Sequence, residues 1–189
     1  MVVPPTALND LRIELRKRRQ IIAKQNRNIL FTIAPQLLDL IQRAQAIGIY
    51  LPMGGEPDPL PLVDKFPGVT SLPALAEKSK MTFRRLSPGD PLMTSSWGGQ
   101  QPPETADTVI PDLIIVPLLG FDAAFNRIGQ GGGHYDRYLA AHPRAIRIGL
   151  AWAGQRVDSI VAQPWDISMD AILTETGFHV KDLIRCQRP

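Results

Sequence analysis

Leu8, Leu11, Leu15 and Ile22 recur at helical spacing with charged residues between them, a period that predicts an amphipathic helix over residues 6–26. Pro4 and Pro5 mark an irregular start before it. Ile33, Leu37, Leu38, Ile41 and Ala44 predict a second helix over 29–45, and AIGIYLP after it reads as a short buried strand. Residues 52–68 are dense in turn formers, but Leu60, Leu62, Val63 and Phe66 allow a short helix there. Strands are expected at 71–75 and 81–86, whereas 87–108 lacks a period and reads as a surface wrap or a ligand-facing loop. Two continuous apolar runs follow, DLIIVPLLG at 112–120 and RAIRIGLAW at 144–152, with a helical pattern over 134–142 between them. Strand, loop, helix, strand is the order of a parallel sheet covered by helices, so the expectation is an α/β fold. One domain spanning 1–189, with the basic first helix packed onto it, suits this length.

Composition sharpens that outline. The 15 glycines and 18 prolines point to many turns and special backbone positions, but the glycines follow no collagen period. Cys186 has no second cysteine to pair with, which excludes a disulfide scaffold and suits a reducing compartment. His134, His142 and His179 have no zinc-motif spacing. No apolar run is long enough to span a membrane and no signal-like start is present, so a soluble, cytoplasmic protein is expected, most simply a monomer. The net charge of +3 is local: residues 11–28 carry Arg12, Arg16, Lys17, Arg18, Arg19, Lys24 and Arg27 against Glu14 alone. Two readings of this run stand, a solvated face or one that lends an arginine or two to phosphate. Nucleic-acid binding through the helix is a further alternative, but the chain carries no recognised module for it, and no specific nucleic acid is expected.

The densest chemistry lies in GFDAAFNRIGQGGGHYDRYL, residues 120–139, between a strand candidate and a helix candidate. Gly129, Gly131, Gly132 and Gly133 let a backbone approach phosphates closely, and their amides can donate to an anion together with the following helix N-terminus. Arg127 supplies a planar cationic fork. Asp136 can receive a metal ion or organise a basic residue, and Tyr135 can stack on a ring or support the loop. The segment is neither a GxxxxGK[ST] phosphate loop nor a GxGxxG fingerprint. A purely structural crossover, with Arg127 paired to Asp122 or Asp136, is the competing reading. Glu56 in MGGEPD places a carboxylate after a strand, where α/β ligand sites gather, and Tyr50, Leu51 and Met53 can add apolar contacts. Met81, Phe83 and Trp97 are weaker candidates for a ring-binding wall.

These residues resemble the signature of the 5-formyltetrahydrofolate cyclo-ligases, also called methenyltetrahydrofolate synthetases, approximately FDxxGxRLGxGxGYYDRxL. It is met here by Phe121, Asp122, Arg127, Ile128, Gly129, Gly131, Gly133, Tyr135, Asp136, Arg137 and Leu139, with Phe125 and His134 at positions the family fills with glycine and tyrosine. The resemblance extends over AIGIYLPMGGE and over IGLAWAGQ through ILTE, nearly the whole length. It implies a three-layer, open and mostly parallel sheet with helices on both faces. The implied activity is ATP- and Mg2+-dependent closure of 5-formyltetrahydrofolate to 5,10-methenyltetrahydrofolate with release of ADP and phosphate.

The nucleotide contacts so implied are Arg12, Arg127, Gly129, Gly131, Gly132, Gly133, His134 and Tyr135, with Arg127 and Asp136 catalytic and Asp136 the magnesium candidate. The folate side would comprise Tyr50, Met53, Glu56 and Trp97. Gln155, Asp166 and Asp170 match near the C-terminus, and Asp166 either helps organise the site or caps a turn. Leu8 stands where the family has a lysine four residues before Arg12, a loss Arg16 can offset from the same helix face, and Trp165 stands where histidine is usual. These departures leave a second reading open, a nucleotide- or folate-binding homologue with weak or different activity.

Overall fold

The computed structural model describes residues 5–27, 29–64, 66–75, 80–95 and 98–181. Trp97 and Cys186 therefore lie outside the described residues.

The elements follow the hydrophobic pattern closely. Helix α1 is Pro5–Gln25 and α2 is Pro35–Arg43. The second helix starts six residues later than its apolar spacing predicts, because Pro35 takes the first helical turn, where its missing N–H costs nothing, and the residue before it is held extended. Strand β1, Ala46–Gly48, leads through a turn-rich segment to α3, Leu60–Val63. Strands β2, Val69–Leu75, and β3, Met81–Arg85, come next. The aperiodic stretch holds a small hairpin of β4, Met93–Thr94, and β5, Gln100–Gln101, before β6, Thr108–Val109. Then come β7, Leu113–Pro117, a second hairpin of β8, Gly120–Phe121, and β9, Arg127–Ile128, and helix α4, His134–Ala141. The chain ends its described part with β10, Ile146–Leu150, β11, Ala171–Thr174, and β12, Gly177–Val180.

Eight strands form one sheet in the order β12-β11-β10-β7-β1-β2-β3-β6. The five from β11 to β2 run parallel, and β12, β3 and β6 pair antiparallel at the two margins. Alternation along β7 separates the layers. Leu113 and Ile115 face a core shared with Leu37, Leu40 and Ile41 of α2 and Leu62 and Val63 of α3. Ile114 and Val116 face the opposite core, with Phe83 and with Tyr138 and Leu139 of α4. Both faces are covered, which is why β7 reads as an unbroken apolar run. Full burial of each such Ile or Leu contributes about 1.5–3 kcal/mol. Helix α1 belongs to neither layer: its Leu15 packs on Leu119 and Ile128 in a separate cluster beyond the carboxyl end of β7. The three-layer, largely parallel α/β architecture is the one expected, and α1 sits where open α/β sheets bind ligands.

Candidate active site

The crossover after β7 is more elaborate than a strand running into a helix. The run predicted as one strand to residue 120 stops at Pro117, and the chain forms the β8–β9 hairpin before the glycine loop. Asp122 organises the turn. Its Oδ1 accepts the backbone N–H groups of Ala124 and Asn126 at 3.0 and 2.9 Å, and its Oδ2 accepts the Asn126 side-chain amide at 3.1 Å and the Ile160 N–H at 3.0 Å. So constrained, Phe125 takes φ 64°, the left-handed region. Glycine, which the resemblance leads one to expect at this position, would take that conformation without strain. In this chain the ring of Phe125 packs against the α4-side core, which offsets the backbone cost.

Arg127 on β9 meets Asp136 on α4: Nη2 donates to Oδ1 over 2.8 Å, and the same oxygen accepts the Ile167 N–H at 3.1 Å. Of the two possible partners, Arg127 takes Asp136 and not Asp122. Arg127 Nε is buried without a hydrogen-bond partner, as is the hydroxyl of Tyr135. Burial, then the neighbouring Glu56 carboxylate, raises the Tyr135 pKa, while Arg127 opposes the shift, so these three groups share one locale. Arg127 and Tyr135, eight residues apart across the glycine loop, thus each carry a buried donor with no protein partner among the described residues.

The glycine loop is gripped from α1. Arg12 Nε donates to the Gly129 carbonyl at 3.2 Å and its Nη1 to Asn9 Oδ1 at 3.0 Å. Gly131, at φ +104°, lies so close to the Arg12 guanidinium that a Cβ there would stand 3.3 Å from Cζ. Arg16 Nε donates to Gln130 Oε1 at 2.8 Å and its Nη2 to the Gln130 carbonyl at 3.2 Å. Gly133, at φ +63°, caps α4. At the helix start, Arg137 Nη2 lies 3.2 Å from His134 Nδ1 and donates to the Gly132 carbonyl at 2.9 Å.

A third arginine of α1 holds the other wall. Arg19 is 2% exposed. Its Nη1 meets Glu56 Oε1 at 2.8 Å, its Nε the Gly54 carbonyl at 3.1 Å and its Nη2 the Met53 carbonyl at 3.1 Å. Glu56 Oε2 accepts the Met53 N–H at 3.0 Å, and the nearby Gln130 side chain also favours the ionised carboxylate. Burial raises the Glu56 pKa above the ordinary carboxylate value, opposed by Arg19 and these hydrogen bonds. Glu56 is thus a buried, paired carboxylate, not an exposed turn residue, and Arg19 corrects the reading of the basic run: Lys17, Arg18, Lys24 and Arg27 are exposed, but Arg12, Arg16 and Arg19 turn inward.

The remaining candidates divide. Tyr50 is 3% exposed and donates to the Pro57 carbonyl at 2.7 Å, so it serves the core beside Glu56, whereas Met53 is 39% exposed. Phe83 is fully buried and Met81 nearly so, both in the α4-side core. Gln155 is wholly buried; its Nε2 donates to the carbonyls of Leu118 and Leu119 at 2.8 and 3.1 Å, fixing the end of β7 under α1. Asp166 accepts the Gln163 N–H at 2.8 Å, the turn-capping alternative, and Asp170 forms a buried bidentate pair with Arg147. The neighbouring Trp165 is 68% exposed and, with Gly131, Gly132, Gly133, Asp136 and Arg137, lines an open cleft of about 520 Å³.

The donor set speaks to magnesium as well. Among the described residues no three His, Cys, Asp or Glu side chains converge. Asp136 already gives Oδ1 to Arg127 and Ile167, which leaves Oδ2 as its sole spare oxygen. Such a set does not make a protein-built cage; it suits an ion that arrives with phosphate and keeps most of its ligands there.

Arg19 and Gln130 were not legible as site residues from the linear pattern. Arg12, Arg16 and Arg19 do fall at i, i+4 and i+7, one helix face, and that spacing was the signal available for Arg19. No local pattern marks Gln130.

The open α/β sheet carries an arginine-backed glycine crossover at its carboxyl edge, the place where folds of this class bind ligands. The chain belongs to the 5-formyltetrahydrofolate cyclo-ligase family, whose sequence profile matches residues 6–175. This is a family of enzymes. A 5-formyltetrahydrofolate cyclo-ligase of Haemophilus influenzae is 30% identical over 177 residues, covering 86% of this chain and 95% of the relative. That of Escherichia coli K12 is 27% identical over 169 residues, covering 84% and 90%. Among solved structures, 5,10-methenyltetrahydrofolate synthetase of Aquifex aeolicus superposes with a TM-score of 0.69 at 24% identity over 92% of each chain. The synthetase of Mycoplasma pneumoniae gives 0.66 at 21% identity over 89% of this chain and 98% of its own. Both share the fold. Among the described residues no helix is long and apolar enough to cross a membrane.

Proposed function

We propose that this chain closes 5-formyltetrahydrofolate to 5,10-methenyltetrahydrofolate at the expense of ATP, releasing ADP and phosphate. The observation that carries the reading is that Arg127 Nε and the Tyr135 hydroxyl, flanking the glycine loop, are both buried without a hydrogen-bond partner, with Tyr135 in electrostatic reach of Arg127 and Glu56. In the reaction the formyl oxygen takes the γ-phosphoryl group, the second folate nitrogen attacks the carbon so activated, and the C–O bond to phosphate breaks. The protein's share is alignment and neutralisation of charge. Arg127, held in plane by Asp136, offers its free Nε to a phosphoryl oxygen, and the Tyr135 hydroxyl donates beside it. The backbone of Gly129–Gly133 and the start of α4, including His134, receive the remaining phosphates, with Arg12 at the loop's other side. Mg2+ supplies further charge neutralisation when bound, carried by phosphate oxygens, with Asp136 Oδ2 the protein oxygen free to join it.

Glu56, fixed by Arg19, orients the reduced pterin, with Met53 as the exposed apolar contact and Trp97 as a further folate-side candidate. Gln155 and Asp166 act at a distance, by holding the β7 end and the turn that carries Trp165. The reading has a monomer acting in the cytoplasm, with no nucleic acid as partner, since three arginines of the basic helix are engaged internally.

The test follows methenyltetrahydrofolate by its absorbance with ATP and Mg2+ each omitted in turn. Product that requires both supports the reading. A folded protein that binds both ligands tightly and forms no product refutes it in favour of a binding homologue. Arg127→Ala is expected to raise the KM for ATP at least tenfold while the far-ultraviolet spectrum stays unchanged. Unaltered kinetics would remove Arg127 from the site.

A further inference from the structure

Gln130 stands between the two halves of the site, bonded to Arg16 and lying near Glu56. It lies in the middle of the glycine loop, exposed, yet its side chain is engaged at each end. Oε1 accepts Arg16 Nε at 2.8 Å, and the side chain lies near enough to the Glu56 carboxylate to favour its ionised form. The orientation of the amide is dictated by its neighbours: an arginine can only donate and an ionised carboxylate can only accept, so no flip satisfies both. The Gln130 carbonyl takes a second bond from Arg16 Nη2 at 3.2 Å, which fastens the loop backbone to α1 at the same point. Glu56 in turn is bound to Arg19, three residues along the helix. Arg16, Gln130, Glu56 and Arg19 therefore close a ring through the glycine loop, the loop after β1 and α1.

We infer that Gln130 is a positioning residue that couples nucleotide binding at the glycine loop to folate binding at Glu56. The inference rests on the functional reading above. A nucleotide that settles the loop sets the Gln130 side chain, and with it the carboxylate that faces the pterin. By linkage, folate bound at Glu56 must settle the loop for the nucleotide by the same factor. No group on Gln130 reacts. Its effect is to make the two substrates bind as a pair, so that loss of one releases the grip on the other.

The experiment measures, by calorimetry on the full chain, the Kd of 5-formyltetrahydrofolate with and without a saturating non-hydrolysable ATP analogue and Mg2+, and the reverse pair. In the wild type each ligand is expected to tighten the other about tenfold, within the usual range for such coupling. Gln130→Met keeps the length and loses both the bond to Arg16 and the amide beside Glu56; the expected coupling falls below about twofold while each ligand alone binds within about threefold of wild type. Gln130→Glu keeps the acceptor for Arg16 but sets a second carboxylate against Glu56, amid Arg19, Tyr50 and Tyr135. The acid limb of kcat/KM for folate is then expected to move to higher pH than in Gln130→Met, which reports that the side chain at 130 faces Glu56; an unmoved limb overturns that placement. Undiminished coupling in Gln130→Met, or no coupling in the wild type, overturns the inference and leaves the functional reading intact. A wild type that binds neither ligand overturns the functional reading, and the inference falls with it.

Discussion

Replacing Arg19 by methionine tests the tertiary logic of this site most severely. The Arg19 and Glu56 side chains are 3% and 8% exposed, so their pairing belongs with buried ion pairs and not with screened surface ones. Arg19→Met strips the carboxylate of its cation and leaves the Met53, Gly54 and Leu118 carbonyls without the guanidinium donors. Breaking a buried pair from one side costs about 3–5 kcal/mol, which for a chain of this size lowers Tm by about 6–20 °C. Replacing both partners, in Arg19→Met with Glu56→Leu, removes the uncompensated charge and is expected to cost clearly less than Arg19→Met alone.

The pH dependence carries a definite sign. Burial raises the Glu56 pKa in the folded state above its unfolded value, and without Arg19 the rise is larger. The folded protein then binds more protons than the unfolded one between those two values, so stability is greatest below the unfolded pKa and is lost as pH rises through the folded one. The deficit of Arg19→Met against wild type should accordingly grow from about pH 4.5 upward. Urea unfolding followed by tryptophan fluorescence is the assay, since Trp152 Nε1 donates to the Gly55 carbonyl at 2.9 Å and reports on this loop. A single variant within about 0.5 kcal/mol of wild type, with no pH-dependent difference, would refute the reasoning.

Three further outcomes follow from the geometry. Phe125→Ala should be less stable than Phe125→Gly by about 1 kcal/mol in denaturant titration, because both lose the ring but only alanine keeps the penalty of φ 64°. Asp122→Ala, which frees the four donors gathered by that carboxylate, should cost about 2–4 kcal/mol and weaken nucleotide use through the displaced loop; an unchanged KM for ATP would uncouple the hairpin from the site. If folate use requires ionised Glu56, the acid limb of kcat/KM for folate should lie above the ordinary glutamate range, and Glu56→Gln should flatten it.

Much of the molecule is readable from the linear pattern because it depends on local period and local backbone chemistry. The continuous run of β7, the apolar spacing of α1 and α4, and the cluster of glycines after Arg127 each state a local requirement: burial on both faces, burial on one, or backbone access. The late start of α2 was also written there, in Pro35, but competes with the apolar period that runs through it. Glu56 and Arg127 could be picked out because carboxylates at strand ends and arginines beside glycines are chemically conspicuous. The partners of those residues were not on view. Whether Arg127 meets Asp122 or Asp136, and whether Arg19 faces water or Glu56, depends on how α1 lies across the carboxyl edge of the sheet. That placement comes from Leu15 seating on Leu119 and Ile128, contacts more than a hundred residues apart in the chain. A hydrophobic contact of that kind has no sequence period, and a buried arginine has the same letters around it as an exposed one. The amino-acid order thus determined the elements, their layers and the chemistry available. The tertiary structure alone decided which cations are spent on holding loops, which polar atoms stay buried without partners, and that Gln130 spans the two walls of the site.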